Sequence, residues 1–418
     1  MRHFERQLIL ALLVMLLPLQ AAHAQLRYEI EYPAIGYGKV APDNQFTEVL
    51  EQLETGTLTL EYNEDGSGYL TALLDVLDIN PASQVLVFSK TSLKQRFITP
   101  ENPRSLFFND EVYVGFVPGS STLEIGAMDP QLGPVFFDFS QQPDAEVSAE
   151  QELGRCLRCH DSYSMTGGGV PRFMLSSVLA GTDGSIISHE ISEMTDTSTP
   201  LKRRWGGWYV TGHTGNLETM GNLIISSASM LQNLDLAANG NKPDLQGLVP
   251  PGPRLANTSD IVALLVLEHQ VELQNRLTRL NFESRTTLQG NDQLDEEKLE
   301  TLTRPVLDSM FMAHEAEIAE PVSGTSGYRE YFEQLGPFDS QGRSLREFDL
   351  QTRTFRYPLS YLVYSPAVDG LLPQVKDYLF TQIRRELQGE TTNYPALNSD
   401  LRSVTLAILR ETRPEILQ

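Results

Sequence analysis

The chain has 418 residues, 40% of them hydrophobic and 21% charged, a balance that supports a sizeable buried core and argues against intrinsic disorder. Its formal net charge of -23 argues against nucleic acid as a partner, because phosphate neutralisation needs basic patches. The charge serves solubility, and it would also steer a partner with a basic surface, a redox partner protein where the chain itself does redox chemistry.

Met1 to Ala24 reads as a secretory signal: Arg2 and Arg6 make a basic start, Leu8 to Leu19 an apolar run, and Ala22-His23-Ala24 a small-x-small cleavage site. The mature chain then begins near Gln25 in the periplasm. No later stretch approaches the roughly 20 apolar residues of a spanning helix, so no membrane span is expected after cleavage.

Residues 25–147 read as a β-rich subdomain, with strands expected at Thr57–Tyr62, Gln84–Ser89, Val112–Val117, Thr122–Ile125 and Pro134–Phe139 between Gly, Pro, Asn and Asp turns. Leu70–Leu77 is the one helical pattern there. Residues 148–223 form a segment of their own, opening with a short acidic helix from Ala149 and continuing into Gly167-Gly168-Gly169. Residues 224–418 turn mainly helical. Thr258 or Ser259 is the candidate cap for a helix over Ile261–Leu280, whose apolar stripe carries Val262, Leu265, Val266, His269, Leu273 and Leu277. Glu283–Asp295 reads as a polar surface excursion. Further helices are expected at Glu296–Ile318, interrupted at Pro305, and at Leu371–Gln388 and Ser399–Arg410. The fold class is therefore α+β, strands first and helices last.

The chemistry concentrates at Cys156-Leu157-Arg158-Cys159-His160, which places both cysteines of the chain and one of its seven histidines in a C-x-x-C-H pattern. Residues three apart on a helical turn share a face, so both sulfurs can meet one edge of a flat ring while the adjacent imidazole lies beneath it. This is the spacing through which two thiols add to haem vinyl groups and a histidine binds the iron. A zinc site would need two further thiolate or imidazole ligands at a recognisable spacing. A thioredoxin-like pair would want a βαβ context, and a disulfide across two residues is strained.

On Cys156, Cys159 and His160 the chain resembles c-type cytochromes. Arg204-Trp205-Gly206-Gly207-Trp208-Tyr209 and Leu267-Glu268-His269-Gln270 also look like stretches of large bacterial cytochrome c-domain proteins with a single attachment motif and no assigned activity. The resemblance implies one covalent haem c, attached outside the cytoplasm, with His160 as an iron ligand. Trp205 and Trp208 could wall the porphyrin or simply pack the core.

The sixth ligand decides between electron transfer and small-molecule chemistry. The family pattern of a downstream methionine points to Met220, with Met174 and Met194 as alternatives and Met165 too close to the motif. His189, His213 and His269 compete, and His269 on an apolar stripe also reads as a satisfied core residue. Three functions follow: periplasmic electron transfer; a peroxidase-like haem oxidoreductase using His213 or His269 with Arg203 or Arg204; and a redox-sensing module in which the β-rich half binds a ligand. Size favours more than a bare electron carrier, since one haem can be housed by a much shorter chain. His189-Glu190 and His314-Glu315 begin an H-E-x-x-H zinc pattern but lack its second histidine.

Overall fold

A computed structural model describes residues 33–143, 148–162, 169–290 and 292–418, and within these not the side chains of 189–191. The expected signal segment, Met165 and Gly167-Gly168 lie outside the described residues. The architecture is α+β, with an antiparallel sheet in the first half and helices dominating the last part.

Among the described residues there are ten strands: β1 (Val85–Val87), β2 (Arg104–Phe108), β3 (Val112–Phe116), β4 (Thr122–Asp129), β5 (Gly133–Ser140), β6 (Ala149–Gln151), β7 (Ser176–Gly181), β8 (Ile186–Met194), β9 (Trp208–Tyr209) and β10 (Ile224–Ile225). Seven form one sheet in the order β6-β5-β4-β3-β2-β1-β9, and β10-β7-β8 form a second. Both edge strands of the large sheet, β6 and β9, come from the 148–223 segment. That segment is thus built into the sheet rather than hung beside it.

Alternation along each strand gives the large sheet two distinct faces. On one, Phe137 and Phe139 of β5 meet Phe46, with ring centroids 5.0 and 6.2 Å apart, and Tyr69 packs edge-on to Phe139. Phe46 sits on the Gln45–Glu54 helix, which Asn44 starts with a reciprocal cap to Thr47. The opposite face carries Trp208, Val87, Arg104, Leu106, Tyr113, Gly126 and Phe136, following the paired registers Val87↔Trp208, Val87↔Arg104, Tyr113↔Gly126 and Gly126↔Phe136.

A 29-residue helix, Ile261–Gln289, lies over this second face. At 1.5 Å per residue it spans about 44 Å, and it is buried nearly all round along its first half. Gln270 Nε2 donates to the Tyr113 hydroxyl at 2.8 Å, and that hydroxyl in turn bonds Gln274 Oε1, pinning helix to sheet through buried polar groups that have no water to turn to.

Several expected elements differ. Thr57–Tyr62 forms no strand, and Ala149–Gln151 is a strand rather than a helix, because it pairs with Phe137–Phe139 of β5. The long helix is capped by Asp260, whose side chain accepts from Val262 N, and it runs on to Gln289, so the polar text from Glu283 is helical to that point. The next helix, Glu296–Met310, contains Pro305 without ending there, and stops eight residues short of Ile318.

Candidate functional site

The C-x-x-C-H motif folds as a single helical turn, Leu157–His160, in which the amides of Cys159 and His160 both donate to the Cys156 carbonyl at 3.1 and 3.0 Å. The turn packs through buried Leu157, while Cys156 and His160 line a cavity of about 510 Å³. Cys159 is half-buried and is not part of that wall. The two thiols are unlinked.

The cavity lies between the second face of the large sheet, the β7–β8 hairpin, the motif turn and the long helix. The sheet contributes Val87, Leu106, Tyr113, Phe136 and Trp208; the hairpin Ser176, Val178, Ile186 and Met194; the helix Leu267 and Val271; and Phe173, Met174 and Leu175 close it on the chain that returns from the motif. Such a largely apolar hollow with a few polar groups, within the 300–1,000 Å³ range of cofactor sites, can exclude water from a large flat ligand.

Two glycines on the sheet make that room. A Cβ on Gly126 would sit 2.8 Å from Cε1 of Phe173, and one on Gly115 would sit 2.6 Å from Nη2 of Arg104. Phe173 therefore lies close against β4, its ring 4.4 Å from Tyr113 and edge-on to Phe136 at 5.8 Å. Arg104 reaches across Gly115 to Glu124, Nε to Oε2 at 2.8 Å, and both line the cavity.

His160 is held on two sides. Its ring lies 4.3 Å from Phe136, and Nδ1 is 2.7 Å from the backbone carbonyl of Arg172. A carbonyl can only accept, so Nδ1 carries the proton and Nε2 presents its lone pair, the tautomer a metal ligand needs. Among the described residues nothing is hydrogen-bonded to Nε2. The Arg172 amide returns a bond to the His160 carbonyl at 3.0 Å. Burial pulls the His160 pKa down to about 4, which keeps the ring neutral.

Burial, reinforced by the carboxylates of Glu152, Glu124 and Asp138, pushes the Cys156 thiol up to about 12. This disfavours the free thiolate that disulfide exchange or zinc ligation uses. Among the described residues no group of three or more His, Cys, Asp or Glu side chains is placed to hold a metal ion by itself.

The sequence candidates for the far side of the iron separate. Ser176 and Val178 of β7 face the cavity, so Ser177 and Leu179 point the other way. Met220 is on that other side: buried at 4% exposure, it packs with Leu179, Leu223 and Ile225, and its sulfur accepts from Ser177 Oγ at 3.7 Å. The structure brings Met174 and Met194, not Met220, to the wall. His213 is exposed, with its backbone paired to Ser323. His269 is buried in the long helix, Nε2 2.7 Å from the Ser360 hydroxyl and its ring 5.1 Å from Phe355. The His189 side chain lies outside the described residues.

Of the two tryptophans, Trp208 lines the cavity and donates Nε1–H to the Ser176 carbonyl at 2.8 Å, whereas Trp205 is buried elsewhere. Arg203 pairs with Glu193, 2.8 Å from Nε to Oε1. Arg204 is wholly committed: Nη1 donates to Glu268 at 2.8 Å, and Nε and Nη2 to the carbonyls of Thr199 and Thr197 at 2.6 Å each. The two stretches that carry the wider resemblance, around Arg204 and around Glu268, thus meet in one buried ion pair that joins helix to sheet segment. Sequence reasoning missed Arg172, whose backbone holds His160, and Asn275, whose side chain holds the backbone of Phe173 next to it; a carbonyl acceptor leaves no mark in the residue type that bears it.

No protein-family model matches the chain, and no curated protein or solved structure matches it.

Proposed function

We propose that this chain is an exported, periplasmic c-type haem protein that takes part in electron transfer, with one haem joined to Cys156 and Cys159 and its iron bound by His160. One observation carries the reading: Cys156 and a tautomerically fixed His160 share one largely apolar cavity of cofactor size. A haem held there supplies a one-electron couple.

The chain's own groups have separable tasks in this reading. Cys156, on the cavity wall, and Cys159, beside it on the same turn, would provide the two thioether sulfurs, and His160 Nε2 would bind the iron. The Arg172 carbonyl fixes the ring's orientation and raises its basicity through Nδ1. Phe136, Phe173, Trp208, Leu267 and Val271 keep water from the site. Arg104, paired with Glu124, puts a cation on the wall where acidic substituents of the ring could find a partner. Met174 and Met194 line the same cavity and would be the thioethers that could also bind the iron. The peroxidase-like alternative has less support, since among the described residues His160 is the one imidazole on the wall and Arg204 is tied to Glu268.

Haem staining after denaturing electrophoresis tests the attachment: colour should travel with the parent chain and vanish in Cys156→Ala/Cys159→Ala. Carbon monoxide titration of the reduced protein then tests the function. Slow or absent binding is expected for a thioether-ligated electron carrier, and rapid binding would transfer support to the oxidoreductase reading.

A further inference from the structure

We infer that Asn275 is a positioning residue for His160, acting from the long helix through the backbone of Phe173 and Arg172. The inference rests on the haem reading for its purpose, although its geometry stands alone. The Asn275 side chain makes a two-bond clamp on one residue: Oδ1 accepts from the Phe173 amide at 2.8 Å and Nδ2 donates to the Phe173 carbonyl at 3.0 Å. One residue earlier, the Arg172 backbone makes its own two-bond pair with His160, its carbonyl to Nδ1 and its amide to the His160 carbonyl. The extended stretch 172–173 is therefore held edge to edge, helix on one side and ligand on the other. Nothing covalent nearby can do this, because His160 and Arg172 are twelve positions apart along the chain.

The chemistry of the clamp is specific. A primary amide offers one acceptor and a donor in one plane, which matches the N–H and C=O of a single residue in extended backbone. Aspartate would keep the acceptor and lose the donor; leucine would lose both at similar volume. Each loss frees residue 173 to shift, and with it the carbonyl that gives the imidazole its partial anionic character. Phe173 anchors the same stretch through its ring against Gly126, so the segment should stay in place while its register loosens. The expected consequence is a weakened Nδ1 hydrogen bond rather than a lost cofactor.

The test uses the mature, full-length protein with Asn275→Leu, Asn275→Asp and, as a control, Asn281→Leu. Asn281 is on the same helix, buried, and bonds the Gln131 carbonyl at 2.8 Å, away from the cavity. In the diamagnetic ferrous protein the His160 Nδ1–H NMR signal should move upfield, and the midpoint potential to more positive values, in both Asn275 variants. Asn281→Leu should move neither, even if it costs as much stability. An unchanged Nδ1–H signal and potential in the Asn275 variants, or equal shifts in the control, would overturn the inference while leaving the haem reading intact. If Asn275→Leu does not fold, Asn275→Asp, which keeps the Phe173 N–H satisfied, decides alone. If the mature protein carries no haem, the haem reading fails instead, and the same variants are read by NMR. The His160 Nδ1–H proton should exchange about tenfold faster than in the parent, and unchanged protection would again overturn the positioning role.

Discussion

Burial pulls the pKa of both His160 and His269 below the ordinary imidazole value, yet their surroundings differ in kind. Around His269 the space is closed: Ser360 takes Nε2, and Phe355 and Tyr361 fill the rest. Next to it on the helix, Glu268 answers Arg204. Around His160 the polar work is done on one side only, through Nδ1, and the other nitrogen borders a hollow. A buried histidine with every neighbour in place is a structural part. One whose partner oxygen fixes the tautomer while a cavity lies beside it is prepared to hold something else.

Variants can break this contrast, and the largest effect is expected on the closed side. Arg204→Leu leaves Glu268 buried without its cation and should cost about 3 kcal/mol, the low end for such a broken pair because Glu268 can take up a proton. Urea unfolding would show this, with haem content per folded molecule unchanged. His269→Ala should follow at about 2–3 kcal/mol, through a lost hydrogen bond and a cavity among aromatic rings, again with the parent visible spectrum. His160→Ala should reverse the pattern, abolishing the native spectrum at a smaller cost in stability. Equal spectra for the two histidine variants would erase the distinction.

Gly126→Leu sharpens the contrast from the cavity side. Its side chain must displace Phe173, so haem loading should fall, with a cost of about 1–3 kcal/mol from overpacking measured in the same unfolding series.

The smallest effect is on pH dependence. Burial raises the Glu268 pKa to about 7, so the folded state keeps a proton the unfolded chain releases above about 4.3. Its contribution is present at low pH and is lost as pH rises through 7. His269 has the opposite sign: its folded pKa is depressed, so its contribution is present above about 6.5 and is lost as pH falls below that. Between about pH 4.5 and 6.5 the two slopes oppose each other. Relative to the parent, Tm of Glu268→Gln should rise with pH across that window and Tm of His269→Leu should fall. Parallel Tm curves for all three proteins would show that neither group titrates as its burial implies.

How much of this could be read from residues alone depends on whether the signal was local. The motif residues Cys156, Cys159 and His160 occupy one turn because their spacing demands it, and β3, β4 and β5 follow from alternation between Gly, Pro and Asn turns. The His269 stripe likewise marked a core face. Ala149–Gln151 was illegible because this short polar stretch around Glu150 becomes a strand only by pairing with β5, an interaction set by tertiary contact. The helix after Asn44 was missed because its cap is closed by Thr47 rather than by the Glu or Gln of the usual capping pattern. Met220 was chosen on chain distance from the motif, but one-residue alternation in β7 decides which side of the strand a neighbour occupies, and distance along the chain carries no such parity. The Asn275 clamp joins residues 102 positions apart and has no local signature.

The measurement that bears most directly on the site is the intact mass of the mature protein, taken with its pyridine haemochrome spectrum after expression with the cytochrome c maturation machinery. A mass of the processed chain plus one haem, with a thioether-type spectrum that disappears in Cys156→Ala/Cys159→Ala, is the expected result. A colourless protein with the bare polypeptide mass and two titratable thiols would contradict it.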